Sequence, residues 1–243
     1  MAPLFCLFLL LLVGCKPHKP KEFYSVAIDP TFFPIELEGK EIYVLAFTND
    51  LLQEIAHFRN ISITKVPKAW DNIVYALKQK QVHAIISGMD PILMNEKTFD
   101  FSNLFLQTGP VIVLRKNMKN IDIHRLKNGY IGVIPRSKAA LYIETQPNLM
   151  AKYYDNNGQI CSAIVESEIN GGLVDSIPAI SYVADLYNQN LLIKSEPMFD
   201  EGIRLVTLKD TNSDLLYEFN EGLKELKQNG VYQKLLKKWN LIN

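Results

Sequence analysis

The polar residues best placed to bind a small molecule lie in three short stretches of a 243-residue chain. The first is SGMDPILMNEKTFDFS, residues 87–102, which begins as a tight Ser-Gly turn after an apolar run. Such a turn presents backbone groups and side-chain oxygens to a ligand, here from Ser87 and Gly88. Asp90 follows near the front of the turn, where it either contacts the ligand or caps the turn before Pro91.

The other two stretches stand where strands and helices are expected to meet. Ser137, between Arg136 and Lys138, is a good N-cap for a following helix, and a helix N-terminus favours anions. Asp175 ends the apolar run GGLVD. A carboxylate facing a cleft needs a cation or hydrogen-bond donors, because burial of an unpaired charge is costly. The alternative is that Asp175 caps the helix after it, and both uses are compatible.

The elements that would hold these residues alternate between strand and helix patterns from residue 24 onward. Short apolar or β-rich runs predict strands at YSVAI (24–28), EIYVLAF (41–47), ISITKV (61–66), VHAIIS (82–87) and VIVLRK (111–116). Apolar residues at helical spacing follow several of these runs, and a second series starts with the strand at 130–134. The order predicts an α/β fold with two lobes, each a mostly parallel sheet flanked by helices.

The N-terminus is expected to direct export and lipid attachment. Residues 4–13 are apolar but too few to cross a bilayer, which takes about 20 residues. They suit a secretion signal, and Leu12-Val13-Gly14-Cys15 resembles the bacterial lipobox, although no Lys or Arg precedes it. We therefore expect a signal at 1–15 that ends at an acylated Cys15, and a polar tether at 16–23.

Composition and missing motifs argue against several other functional classes of protein. Lys and Arg total 26, as do Asp and Glu, so no net field attracts nucleic acid. The sequence contains no CxxC, HExxH or GxxxxGK[ST] motif, so we expect no metal and no cofactor. Once Cys6 leaves with the signal and Cys15 is acylated, Cys161 remains alone, and it predicts a small buried residue without a disulfide.

Several segments together resemble the type II periplasmic substrate-binding proteins of polar amino-acid ABC transporters. The likeness covers nearly all of residues 24–240. Its strongest pieces, in chain order, are Asp29-Pro30-Thr31-Phe32-Phe33-Pro34, ALKQKQVHAIISGM, FDFS and GLKELKQNGVYQKLLKKW. The resemblance implies a ligand held between two lobes, with no chemistry.

The resemblance also implies how the chain divides into lobes. Lobe one would hold 24–114 and 205–243, and lobe two would hold 115–204. Two strands, VIVLRK and the strand near Arg204, would form the hinge.

The family's ligand contacts can be carried over position by position. Asp29 joins the ligand-binding set, Phe32 matches a stacking aromatic or else a core phenylalanine, and Trp70 matches a second aromatic wall. Asp175 falls on the aspartate that binds the ligand ammonium, although a slipped register would put Ile180 there. Ser87 and Gly88 match the turn that faces the ligand.

One departure from the family pattern affects the charge of the site. Asn95 stands where the family has the arginine that grips a carboxylate. Arg136 is a candidate replacement, whereas Lys138 is expected to be solvated. With Asp90 on one rim and Asp175 opposite, the sequence favours a basic amino acid, a small amine or a short peptide.

We therefore expect an exported, lipid-anchored, monomeric binding protein that delivers an amino acid or a related amine to an ABC permease. It would not be an enzyme. Two alternatives stay open. One is a sensor-type or degenerate protein whose cleft no longer serves amino-acid transport. The other is a dehydratase-type enzyme on the same fold, with Asp90 or Asp175 as its general acid.

Overall fold

The computed structural model describes residues 21–120, 122 and 128–242. The expected signal with Cys15, and the tether as far as residue 20, lie outside these residues. Within them, no helix combines the length and the apolar character needed to cross a membrane.

Two sheets organise the described residues, and each sheet with its helices forms a lobe. Lobe one contains β1 (Phe23–Ile28), α1 (Glu41–Phe58), β2 (Ser62–Pro67), α2 (Trp70–Lys78), β3 (Ala84–Ser87), α3 (Leu93–Glu96), β4 (Phe99–Phe101), β5 (Leu106–Gln107), β11 (Gly202–Leu208), α7 (Ser213–Gln228) and α8 (Val231–Lys238). Lobe two contains β6 (Pro110–Arg115), a 3-10 turn (Lys116–Met118), β7 (Gly129–Val133), α4 (Lys138–Glu144), β8 (Leu149–Tyr153), α5 (Asn157–Val165), β9 (Gly171–Asp175), α6 (Ser176–Ser181), a π-helical turn (Tyr182–Leu186) and β10 (Leu191–Ile193).

Strand direction follows the connections between the strands. In lobe one the order is β2-β1-β3-β11-β4, with β1 parallel to β2 and β3 and β11 antiparallel to its neighbours. In lobe two the order is β10-β6-β9-β7-β8, with β7 parallel to β8 and β9 and β6 antiparallel to β9. Strands joined by crossover helices are thus parallel, as expected, whereas β6 and β11, the strands that follow the two crossings between the lobes, are antiparallel to their neighbours. The two-lobed α/β fold is confirmed, with mixed sheets.

Helices cover both faces of the lobe-one sheet. The α1, α7 and α8 side packs around Phe47, Phe105 and Phe219, with ring centroids 6.4 and 5.9 Å apart along that series. The other face packs against α2 through Ile73 and Leu77. A sheet covered on both faces explains why β3 is apolar throughout. It also leaves the strand ends as the natural place for polar residues.

One predicted strand is wrong. Residues 41–47 form the first two turns of α1 and not a strand. Their buried residues continue the helical spacing of the rest of α1: Val44, Phe47, Thr48, Leu51, Leu52 and Ile55. The β-branched and aromatic residues of EIYVLAF favour a strand locally, but burial along one helical stripe decides the outcome.

The crossing between lobes differs from the expected one. The strand Pro110–Arg115 pairs with β9 and β10 in the lobe-two sheet, so it is not the hinge, and lobe one ends earlier than residue 114. The chain crosses at Gly109 and returns after Met198. A Cβ on Gly109 would lie 2.0 Å from the Met198 carbonyl oxygen, so only glycine lets the two crossings pack together.

Candidate ligand-binding site

The candidate site lies where strand ends of the two lobes face each other. In lobe one, β3 ends at Ser87, and in lobe two β9 ends at Asp175. The start of α4 follows the end of β7. In open α/β sheets, ligands bind beyond the carboxyl ends of parallel strands, and this topology brings the predicted residues there.

The turn after β3 is held by its own polar groups. The buried Ser87 accepts a hydrogen bond on Oγ from the Met89 N–H at 3.1 Å. Gly88 is covered by the side chain of Ile35, whose Cδ1 would lie 2.4 Å from a Cβ at that position. Asn95 donates from Nδ2 to the Asp90 carbonyl at 2.8 Å. The residue at the family's arginine position therefore fastens the turn.

Lys138 bridges the cleft to the Asp90 side chain. Its Nζ lies 2.7 Å from Asp90 Oδ2 and 3.0 Å from Glu201 Oε1. Desolvation acts to lower the pKa of Lys138, but hydrogen bonds to Asp90 and Glu201 outweigh it and raise that pKa. Lys138 is exposed, as predicted, but its ammonium is also held by two carboxylates, which the sequence did not predict.

The residues before Lys138 behave differently from each other. Ser137 is the N-cap of α4, with Oγ accepting from the Ala140 N–H at 3.0 Å, as predicted. Arg136 is exposed with φ 62°, and within the described ranges its side chain makes no hydrogen bond or ion pair. Lys138, and not Arg136, is thus the cation that reaches the cleft.

Asp175 is largely buried and is held by Asn157. Its N–H donates to Asn157 Oδ1 at 3.1 Å, and its Oδ2 accepts from Asn157 Nδ2 at 3.2 Å. Its side chain makes no capping hydrogen bond to α6, so the N-cap alternative is not what the structure adopts. Burial raises the pKa of Asp175 to about 6, and the nearby carboxylates of Glu201, Glu38 and Glu36 add to the rise. A cation placed there would relieve this repulsion.

Glu38 adds a carboxylate that sequence reasoning missed. It lies in the loop between β1 and α1, and its Oε2 accepts from the Tyr182 hydroxyl of lobe two at 2.8 Å. Its Oε1 accepts from Asn157 Nδ2 at 2.9 Å. Burial and the bond to Glu38 raise the pKa of Tyr182 to about 12. The only local signal is the Glu38-Gly39 turn, since all of its described partners come from residues more than a hundred positions away.

The aromatic residues are placed differently from the family pattern. Phe32 is only 3% exposed and belongs to the lobe-one core, so the core alternative is the one observed. Phe33 is 50% exposed, and its ring centroid lies 5.2 Å from that of Trp70 at an interplanar angle of 61°. The exposed Phe33 and the partly buried Trp70 therefore form an aromatic pair in lobe one.

Asp29 is buried and hydrogen-bonded within its own loop. Its Oδ1 accepts from the N–H and the hydroxyl of Thr31, both at 2.9 Å. This arrangement shapes the loop that carries Phe33 and Glu38. The Asp29 carboxylate is therefore engaged by Thr31 of its own loop.

Other features of the described residues can be compared with the positions of Ser87, Asp90 and Asp175. A cavity of about 690 Å³ lies between the interlobe crossings, α6 and α8, and it includes none of Ser87, Asp90 and Asp175. Among the described residues, no His, Cys, Asp and Glu side chains cluster in a way that could hold a metal. Cys161 is buried, as predicted, and burial raises its pKa to about 12.

The sequence is similar to binding proteins of two bacteria. It is 28% identical over 236 residues to the arginine-binding extracellular protein ArtP of Bacillus subtilis, covering 93% of this chain and 88% of that one. It is 24% identical over 228 residues to the lysine/arginine/ornithine-binding periplasmic protein of Escherichia coli K12, covering 90% and 87%.

Solved structures share the fold. The L-cystine solute receptor of Neisseria gonorrhoeae in its unliganded open conformation matches with a TM-score of 0.74 at 18% identity, over 90% of this chain and 93% of that one. Substrate-binding domain 2 of GlnP from Lactococcus lactis matches with a TM-score of 0.68 at 21% identity, over 91% and 97%. A family model matches residues 24–242, nearly the whole described part. The chain therefore belongs to the bacterial extracellular solute-binding proteins, family 3.

Proposed function

We propose that this protein captures an amino acid carrying an extra cationic group and delivers it to an ABC importer. The observation that carries the proposal is the convergence of carboxylates on one cleft. Asp90 and Glu38 approach from lobe one, Asp175 from lobe two and Glu201 from the returning crossing. Such a field favours a positively charged ligand and disfavours a dicarboxylate.

Asp175 is the proposed partner of the ligand's ammonium group. Asn157 already holds its carboxylate from within lobe two, so no reorientation is needed when the ligand arrives. The neighbouring carboxylates make an uncompensated charge on Asp175 unfavourable. A ligand cation is then bound more strongly than at an isolated aspartate.

Lys138 is the proposed partner of the ligand's carboxylate. Its ammonium lies between Asp90 and Glu201, where a ligand cation could take its place. Released from those two acids, the Lys138 ammonium would be available to the ligand's carboxylate. This exchange compensates for Asn95 at the family's arginine position. The Phe33–Trp70 pair would cover the ligand's side chain.

The names of relatives support the same ligand class. The proteins matched from B. subtilis and E. coli are named for binding arginine, or lysine, arginine and ornithine. Binding without chemistry follows the family, so we assign no catalytic role to Asp90 or Asp175. Export, lipid attachment at Cys15 and a monomeric state complete the proposal.

Calorimetric titration with individual amino acids tests the proposal. L-arginine, L-lysine, L-ornithine and L-histidine are compared with L-glutamine and L-glutamate, each at pH 7. We expect the cationic amino acids to bind at least ten times more tightly than L-glutamate. A thermal scan supports the result, since a ligand at 100 times its Kd adds about 2.7 kcal/mol to the free energy of unfolding. Absence of binding by all six would contradict the proposal and favour a degenerate cleft.

A further inference from the structure

Glu38 spans the two lobes with one carboxylate. It belongs to the loop after β1 in lobe one, and its described partners lie in lobe two. Oε1 accepts from Asn157 Nδ2 at 2.9 Å and from the Asn157 backbone N–H at 3.3 Å. Oε2 accepts from the Tyr182 hydroxyl at 2.8 Å. The backbone N–H belongs to the first turn of α5, where it has no partner within its own helix.

Asn157 connects this bridge to Asp175. The residue is 2% exposed, and its side-chain amide donates both to Glu38 and to Asp175 Oδ2 while its oxygen accepts from the Asp175 N–H. One amide group has two N–H donors and can serve two carboxylates at once. A shift of Asn157 would therefore disturb both of them.

We propose that Glu38 is a positioning residue that fastens lobe one to lobe two and, through Asn157, couples this fastening to the orientation of Asp175. The coupling to ligand release rests on the proposed function, whereas the fastening itself does not. Glu38 is not proposed to touch the ligand. Its role is to slow the separation of the lobes once Asp175 is occupied.

The backbone around Glu38 agrees with a side chain held from outside its own loop. Glu38 has φ 47° and Gly39 has φ 88°, so two successive residues are in the left-handed region. This region is unfavourable for a residue other than glycine, because its Cβ crowds the following carbonyl oxygen. Such conformations persist where the surroundings hold them. Three hydrogen bonds to the opposite lobe provide that restraint here.

The test compares wild type with Glu38→Ala, Glu38→Gln and Glu36→Ala. Glu36 is the matched control, because it also acts on Asp175 electrostatically but, within the described ranges, makes no hydrogen bond to lobe two. Glutamine keeps one acceptor oxygen and about the same shape, so Glu38→Gln separates hydrogen bonding from charge. Hydrogen bonds to charged groups are strong enough that losing the bridge should raise the dissociation rate of L-arginine about tenfold.

Two measurements are made on each protein. Stopped-flow fluorescence gives the association and dissociation rates of L-arginine. Hydrogen exchange without ligand, read at residues 156–160, reports the bridge itself. We expect Glu38→Ala to speed both exchange and dissociation, with the association rate within about twofold of wild type because encounter precedes fastening. The dissociation rate of Glu38→Gln should lie between those of wild type and Glu38→Ala. Glu36→Ala should leave the exchange at residues 156–160 as in wild type and should change the dissociation rate much less than Glu38→Ala does.

The outcomes separate the two proposals. If L-arginine fails to bind wild type, the proposed function is contradicted, and hydrogen exchange alone decides whether Glu38 fastens the lobes. If exchange in Glu38→Ala is unchanged, the fastening is refuted. If exchange speeds up but the dissociation rate of bound L-arginine does not, the coupling to Asp175 is refuted. An equal effect of Glu36→Ala would also overturn it, since charge alone would then explain the data.

Discussion

The two walls of the cleft hold their acidic side chains in opposite ways. In lobe two, Asp175 is held by Asn157 of the same lobe. In lobe one, Asp90 is held by Lys138 and Glu38 by Asn157 and Tyr182, all from the opposite lobe. The lobe-two carboxylate is therefore organised before the lobes meet. The lobe-one carboxylates take their positions only when the lobes are together, which suits them for closure more than for first contact.

The largest effect on ligand affinity is expected for Asp175, which is held within its own lobe. Asp175→Ala removes the proposed partner of the ligand cation and should weaken L-arginine binding about 100-fold, because the loss of one member of a buried charge pair is costly. Calorimetric titration measures the change. The control is Asp185→Ala, an exposed acid of the same lobe. Equal affinities for Asp175→Ala and wild type would refute the assignment of Asp175.

Replacing Lys138 tests whether its ammonium binds the ligand's carboxylate. Lys138→Met should weaken L-arginine binding about tenfold, because the ligand's carboxylate loses a charged donor. The control is Lys152→Met, which removes an exposed lysine paired with Glu168 in the same lobe. Tighter binding by Lys138→Met would mean that Lys138 only competes with the ligand for Asp90 and Glu201.

Acid pH should weaken binding through Asp175. Burial and neighbouring carboxylates raise its pKa to about 6, so the charged form that attracts a cation is lost as pH falls through that value. The Kd of L-arginine should rise about tenfold between pH 7 and pH 5 in wild type. Asp175→Asn should flatten this dependence, and a wild-type Kd that stays constant over the range would contradict it.

The same raised pKa predicts the sign of a stability change in the ligand-free protein. The Asp175 carboxyl group binds its proton more tightly in the folded protein than in the unfolded chain, where its pKa is 3.8. Its contribution to the free energy of unfolding is present below that value and is lost as pH rises through about 6. Urea unfolding at pH 4, 5, 6 and 7 should show a steeper decline in wild type than in Asp175→Asn.

The smallest effect on ligand affinity is expected for Asp90, which is held by Lys138 of the opposite lobe. Asp90→Asn should change the Kd of L-arginine only about twofold to fourfold, since partly exposed ion pairs contribute little. Asp90 and Lys138 are 34% and 44% exposed in their side chains. Titration under the conditions used for Asp175→Ala gives the comparison. A loss as large as that of Asp175→Ala would erase the distinction between the two walls.

Local patterns in the sequence predicted much of the fold. Runs of apolar residues located β1, β2 and β3. The exceptions are residues whose state depends on distant contacts. Residues 41–47 are helical because one stripe packs into the core, and 110–115 joins lobe two because β9 and β10 pair with it.

The residues of the candidate site likewise divide into those with local sequence signals and those whose contacts are distant along the chain. Ser87, Ser137 and Asp175 could be placed from strand ends and a helix start, which are local signals. Glu38 could not, because its described partners lie across the cleft and far along the chain. The contact of the exposed Lys138 with Asp90 could not be predicted for the same reason, since Asp90 is 48 residues away. Interlobe contacts are set by how two separate sheets meet, which no short stretch of sequence specifies.

The most direct test of the central claim is the affinity ratio between L-arginine and L-citrulline, which is nearly the same in shape but has no charge on its side chain. Titration calorimetry at pH 7 gives both Kd values with one protein. A cleft whose acidic walls select a cation predicts that L-arginine binds at least about 100 times more tightly, a difference of about 3 kcal/mol. Equal affinities for the two ligands would contradict it.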